Sequence, residues 1–162
     1  MTYTIESEVL SEKIERIFDS DGREYYLKID RFFYEGGQPN AVYFFLHRCD
    51  RNNQVGDAYC CFDSAESLKL ADIKISDEEY FESGIDKWFK LTHWNEPTNY
   101  QNKTLGSQLL HHIIDFAKHH NIKKISGILE CEDRQKQPFL ISWYEKHGFN
   151  IDAVKNISLI LS

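Results

Sequence analysis

The chain of 162 residues has no apolar run near the roughly 20 residues that span a bilayer. Its first residues, Met1 to Glu8, are polar and acidic and lack the charged-then-apolar layout of a signal peptide. There is no surplus of positive charge. A net charge of −7 argues against a nucleic-acid partner, whose footprint is basic, and an acidic surface would instead attract cationic substrates such as amines. The four cysteines (Cys49, Cys60, Cys61, Cys131) show no C-x-x-C spacing, so neither a zinc site nor a disulfide framework is indicated. His111, His112, His119 and His120 include no i, i+4 pair of the kind that holds zinc on one helix face, and no metal is expected. Repeats, low-complexity tracts and a domain boundary are also missing. These absences fit reduced thiols in a cytoplasmic protein built as one domain over residues 1–162.

What is there is a globular composition, 41% hydrophobic and 14% aromatic, sufficient for a substantial core. Residues 6–18 carry Leu10, Ile14, Ile17 and Phe18 at helical spacing and are read as a short helix, although Asp19-Ser20-Asp21-Gly22 just after them suits a hairpin turn. Four strands follow: Glu24–Tyr34, Ala41–Arg48, Val55–Phe62 and Ser67–Ile75, the last alternating as S-L-K-L-A-D-I-K-I. Loops at Glu35–Asn40 and Asp50–Asn53 make this an antiparallel meander. Ser76-Asp77-Glu78-Glu79 reads as a capping box opening a helical excursion over 77–99. Its Tyr80, Phe81, Trp88, Phe89 and Trp94 could be local core or the lining of a substrate pocket.

Leu105, Leu109, Ile113 and Phe116 then recur at helical spacing in a run to His120, entered through short polar residues at Thr104–Gly106. Such a helix start presents free N–H groups and the positive end of the dipole, an arrangement that holds phosphate or pyrophosphate. Asn121 ends the helix, and Ile122–Leu129 reads as a strand reached by a crossover to a parallel neighbour. A polar loop at 132–137 precedes a helix from Pro138 to Lys146, with Gly148 as its stop. Phe149–Asp152 and Val154–Leu161 close the chain as two strands. The class is α+β.

Two segments together resemble the GNAT superfamily of acyl-coenzyme-A-dependent N-acetyltransferases. Gln101-Asn102-Lys103-Thr104-Leu105-Gly106 is similar to that family's pyrophosphate loop, Q/R-x-x-G-x-G/A, and Trp143-Tyr144-Glu145-Lys146-His147-Gly148-Phe149 is similar to its aromatic-Tyr-Glu-Lys-x-Gly-Phe signature. The resemblance covers roughly residues 67–162 and implies a GNAT-like fold, with a mixed, mostly antiparallel sheet flanked by helices. The family usually places two helices between its first and second strands. The segment from Arg23 to Ile75 has no room for them, so the N-terminal helical part is reduced and either the helix at 6–18 replaces them or that side is stripped down.

The resemblance also implies a ligand and a chemistry. Acetyl-CoA would be held by Gln101, Asn102, Lys103, Thr104, Leu105, Gly106 and Ser107, by the backbones of Ile73 and Ile75 along the pantetheine arm, and by Gln137. Thr104 stands where the family has a glycine. It must either take a conventional φ or serve as helix N-cap, its hydroxyl bonding a backbone N–H or a phosphate oxygen. Tyr144 matches the residue that protonates the leaving thiolate, and Asp72, then Glu130, are the candidate general bases for an amine whose ordinary pKa is about 10.4. Should Lys87–Trp94 be the strand entering the loop instead of Ser67–Ile75, Thr92 and His93 would face the acetyl group in place of Asp72.

The expected function is therefore acetyl transfer from acetyl-CoA to a primary amine by direct transfer in a ternary complex, since no Cys or Ser stands in a nucleophile-plus-base motif. The alternative is a non-catalytic acyl-CoA-binding or interaction module on the same fold. The acceptor would be a small amine or a peptide or protein amine, and the chain a monomer or homodimer.

Overall fold

The computed structural model describes residues 9–51, 53–75, 104–129 and 137–162. Among them eight strands form one sheet in the order β1-β2-β3-β4-β5-β6-β8-β7. The first five, β1 (Val9–Phe18), β2 (Glu24–Phe33), β3 (Pro39–Arg48), β4 (Gln54–Ser64) and β5 (Ser67–Ile75), are an antiparallel meander. Helix α1 (Leu105–His119) then crosses over to β6 (Lys124–Ile128), which runs parallel to β5. Helix α2 (Gln137–Lys146) leads to the short β7 (Asn150–Ile151) and to β8 (Asn156–Ile160), which inserts between β6 and β7. The expected strands, both helices and the parallel crossover are all present. The reading of 76–99, including the rival strand Lys87–Trp94, lies outside the described residues.

Residues 9–18 are a strand and not the helix expected over 6–18. The cause is a β-bulge. Ile14 pairs with Leu27 and Ile17 with Tyr25, so three steps on β1 match two on β2, and Arg16 inside the bulge has φ of 64°. The extra residue puts Ile14 and Ile17 against the same core although they are three apart, and a three-residue spacing of apolar side chains is what a helix also shows. The turn after it is pinned by Asp19, whose buried carboxylate accepts hydrogen bonds from the N–H groups of Asp21 and Arg23 (both 2.9 Å) and from the Tyr25 hydroxyl (2.8 Å). Burial alone would raise the pKa of Asp19, but these hydrogen bonds and the Arg23 charge outweigh it and hold the carboxyl below its ordinary value.

Between β2 and β3 the chain turns through Tyr34–Gln38, with Tyr34 N–H donating to the Gln38 carbonyl at 2.8 Å. No helix stands between these two strands. The core fills one side of the sheet, where Leu105, Leu109, Leu110, Ile113 and Ala117 of α1 lie fully buried with Leu27, Phe44 and Leu68. Phe116 meets Phe44 edge-on at 5.5 Å. Both helices end as left-handed caps. The N–H of Ile122 reaches the Ala117 carbonyl past Asn121 (φ 57°), and that of Phe149 reaches Tyr144 past Gly148 (φ 88°). The second of these fixes the backbone of Tyr144.

Candidate active site

The site begins where β5 and β6 part. β5 pairs with β6 only through Ser67–Leu70, against Lys124–Gly127. One step later β5 carries a bulge: Cys60 pairs with Leu70 and Tyr59 with Asp72, leaving Ala71 as the extra residue. Beyond it Asp72–Ile75 keep β4 on one edge and have no β6 partner on the other, so β5 and β6 diverge into a notch. Gly127 marks the last closed position. A Cβ there would lie 2.7 Å from the Leu70 carbonyl oxygen, so only glycine lets β6 stay in register up to the fork. The bulge also changes the parity of the strand. Leu68 and Leu70 face the core before it, Ile73 and Ile75 pack against the core after it, and Asp72 and Lys74 turn outward as an ion pair of 2.8 Å.

The N-terminus of α1 faces the far end of this notch. Leu105, Gly106 and Ser107 lack intrahelical acceptors for their N–H groups, no other backbone partner is found for them among the described residues, and no acidic side chain occupies the first turn. Gly106 sits between β5 and α2: a Cβ on it would be 3.7 Å from Ile75 Cγ1 and 3.7 Å from Trp143 Cζ2, ordinary contacts with space to spare. Packing therefore does not demand glycine here, and a helix with alanine would be the more stable. A close ligand is a sufficient reason for the bare backbone. Trp143 of α2 donates from Nε1 to Ser107 Oγ at 3.2 Å, which ties the two helices together and leaves the Ser107 hydroxyl proton free for another acceptor.

Thr104 takes the second of its two expected routes in position but without the side-chain hydrogen bond to the helix. It occupies the N-cap position, yet with φ of 69° and ψ of −3° and without a hydrogen bond from its side chain to the helix backbone. A β-branched residue thus adopts the left-handed conformation that glycine reaches without strain. Its hydroxyl instead accepts from Gln108 Nε2 at 3.1 Å.

Tyr144, one residue on from Trp143, is buried and meets Phe149 edge-on at 5.4 Å. Its hydroxyl makes no hydrogen bond among the described residues. Burial first, then the charges of Asp72 and Cys60, push its pKa up to about 12. The structure thus brings Asp72 and Tyr144 into one electrostatic neighbourhood. Asp57, which the sequence did not single out, lies opposite Lys74 on β4, and burial raises its carboxyl pKa, with Lys74 opposing that and Asp72 adding to it. Only strand pairing reveals this neighbour of Asp72, because alternation in β4 gives its face but not its partner. Ile73 and Ile75 lie on the stretch of β5 beyond its pairing with β6. Gln101, Asn102, Lys103 and Glu130 lie outside the described residues, as does the side chain of Gln137, the first residue of α2. Among the described residues no group of three or more His, Cys, Asp or Glu side chains is arranged to hold a metal ion, and no helix is long and apolar enough to cross a membrane.

Residues 97–149 match the model of the Acetyltransferase (GNAT) family, a segment that includes α1, β6, α2 and the signature around Tyr144. This is a GNAT fold. Among solved structures, the chain is similar to the PaiA N-acetyltransferase from Thermoplasma acidophilum in complex with coenzyme A, at 12% identity and a TM-score of 0.52 over 75% of this chain and 62% of that one. A GNAT family acetyltransferase from Elizabethkingia anophelis with acetyl-CoA bound gives 16% identity and a TM-score of 0.51, over 75% and 77% of the two chains. The IAA acetyltransferase from Bacillus cereus gives 12% and 0.52, over 75% and 79%. The chain thus spans less than two thirds of the Thermoplasma enzyme's length. A comparison with curated protein sequences gave no match. These likenesses establish the architecture; the chemistry has to be argued from the residues.

Proposed function

We propose that the chain is an acetyl-CoA-dependent N-acetyltransferase acting on a primary amine by direct transfer, in the cytoplasm, with residues 1–162 forming one catalytic domain. The observation that carries this reading is the fork: β5 runs on through Asp72–Ile75 where β6 no longer pairs with it, Ile75 lies against Gly106 in the first turn of α1, and Asp72 acts electrostatically on Tyr144. The residues fit coenzyme A. The N–H groups of Leu105, Gly106 and Ser107 would receive the pyrophosphate, the bare backbone of Gly106 admits its close approach, and Thr104 and the preceding Gln101, Asn102 and Lys103 would complete the turn. The β5 edge at Ile73 and Ile75 would bond the pantetheine amides as a neighbouring strand would. Gln137 would add an amide contact.

Bound acetyl-CoA supplies the activated acyl group as a thioester. Tyr144 stays protonated across the physiological range, so its O–H is available to the sulfur as the carbon–sulfur bond breaks. A thiolate of ordinary pKa, about 8.5, would draw a hydrogen bond from such a weak acid but not its proton. Burial narrows the gap, because it raises the proton affinity of a thiolate too: it pushes the neighbouring Cys60 thiol far above its ordinary value. Asp72, half-exposed beside the notch, is proposed to accept the proton of the attacking amine, with Glu130 second and Asp57 as a neighbouring carboxylate that favours a cationic acceptor. The acceptor is a small amine or a peptide or protein amine.

Thermal unfolding in the presence of acetyl-CoA tests the first half. A ligand at 100 times its dissociation constant adds about 2.7 kcal/mol of stability, and no shift with any acyl-CoA would sink the proposal. Mass spectrometry of an amine panel, seeking one added acetyl group, tests the second.

A further inference from the structure

Thr104 holds a conformation that a β-branched residue keeps only when its surroundings impose it. The surroundings are specific. Gln108, one helical turn on, donates through Nε2 to the Thr104 hydroxyl at 3.1 Å and to the carbonyl of Phe18 at 2.6 Å, one amide proton serving each. Its own backbone N–H bonds the Thr104 carbonyl at 3.1 Å, so Gln108 grips Thr104 at both ends. Phe18 is the last residue of β1, and Asp19 beside it is the anchored residue of the β1–β2 turn. The carbonyl that Gln108 reaches is therefore held in place by a buried carboxylate network and is not a loose strand end.

We propose that Gln108 is a positioning residue. Through its bridge from the Phe18 carbonyl to the Thr104 hydroxyl it keeps Thr104 left-handed, and so keeps the N–H groups of Leu105, Gly106 and Ser107 aimed at an anionic ligand. Thr104 sets where those groups point, because its φ and ψ fix the peptide plane that enters the helix. With glycine at 104 the left-handed state is reached freely and the bridge is unnecessary; with threonine there, something must hold it. This gives the β1–β2 hairpin a task in the site although it contributes no group to the ligand. The identity of the ligand as coenzyme A rests on the function proposed above, whereas the conformational tie does not.

The test is a double-mutant cycle with Gln108→Met, which keeps length without donors, and Thr104→Gly. Two readouts are taken: the coenzyme A dissociation constant by calorimetry, and the amide resonances of Leu105, Gly106 and Ser107 in ligand-free protein. Gln108→Met is expected to weaken binding about tenfold and to move those three resonances in the Thr104 background, with less than about a twofold change in the Thr104→Gly background. Equal weakening in both backgrounds would reduce Gln108 to a general stabiliser and overturn the proposal, as would unmoved resonances with Thr104 present. If the unmodified protein binds no coenzyme A, the function reading fails, and the ligand-free resonances still decide the tie.

Discussion

The two halves of β5 are one strand with one partner in common and different duties. Ser67–Leu70 are paired on both edges and bury Leu68 and Leu70 completely or nearly so, at 0% and 4% exposure. Asp72–Ile75 are paired on one edge, expose Asp72 and Lys74, and border the notch. A single inserted residue, Ala71, and a single glycine across the fork, Gly127, separate the two. Strand pairing and burial stabilise the first half. The second half gives up its pairing with β6, and in the proposed function a ligand lies along that edge. Substitutions on the closed side should therefore show in stability and those on the open side in turnover.

The largest effect is expected on the open side. Tyr144→Phe should lower kcat by about 100-fold, or about 2.7 kcal/mol in the barrier, with KM for acetyl-CoA nearly unchanged, read from steady-state kinetics. With its pKa pushed up to about 12, ionisation of Tyr144 should produce no loss of activity between pH 8 and 10. The sign for stability follows from the same shift. The folded state holds this proton above the usual tyrosine range, so Tyr144 contributes fully below about pH 10 and its contribution is lost as pH rises toward 12. Alkaline unfolding should be shallower in Tyr144→Phe. Turnover unchanged in that variant would remove Tyr144 from the chemistry.

On the closed side Gly127→Ala should cost about 2 kcal/mol or more in urea unfolding, since the new Cβ meets backbone oxygen at 2.7 Å and not a yielding side chain. A loss under about 0.5 kcal/mol would mean that the fork is not held shut at Leu70. Asp72→Asn tests the open side again. The ion pair with Lys74 is exposed on both partners, so stability should change by less than about 1 kcal/mol, whereas kcat at neutral pH should fall at least about tenfold if this carboxylate takes the amine proton. Equal kcat would move that role to Glu130 or Asp57.

The division between the halves also explains what the sequence made legible. Alternation in S-L-K-L-A-D-I-K-I marked the whole of β5, and the helical stripe from Leu105 to Phe116 marked α1, because burial on one face leaves a periodic trace. Bulges do not announce themselves in that way. The one in β1 gave Ile14 and Ile17 a helix-like spacing, and the one at Ala71 changed which residues of β5 face the core without disturbing its strand pattern. At the site, Tyr144 and the first turn of α1 were readable from local motifs. The left-handed Thr104, the Trp143–Ser107 hydrogen bond and the bridge from Gln108 to Phe18 were not, since each depends on residues that only the folded sheet brings together.

Gly106→Ala carries the comparison into the helix itself and should have the smallest effect on stability. The added Cβ would find Ile75 and Trp143 at 3.7 Å, near enough for contact and too far for a clash. Replacing glycine within a helix removes backbone freedom from the unfolded chain, so the variant should be as stable as the parent or better by about 0.5–1 kcal/mol. The same methyl group would stand beside the free N–H groups where the pyrophosphate is proposed to sit, so coenzyme A binding should weaken as the apoprotein gains stability. Urea unfolding of the ligand-free variant and calorimetric titration of coenzyme A measure the two separately. Opposite signs would show that Gly106 serves a ligand against the interest of the helix. A variant that is destabilised without any change in affinity would return this glycine to packing and leave the start of α1 without its clearest mark of function.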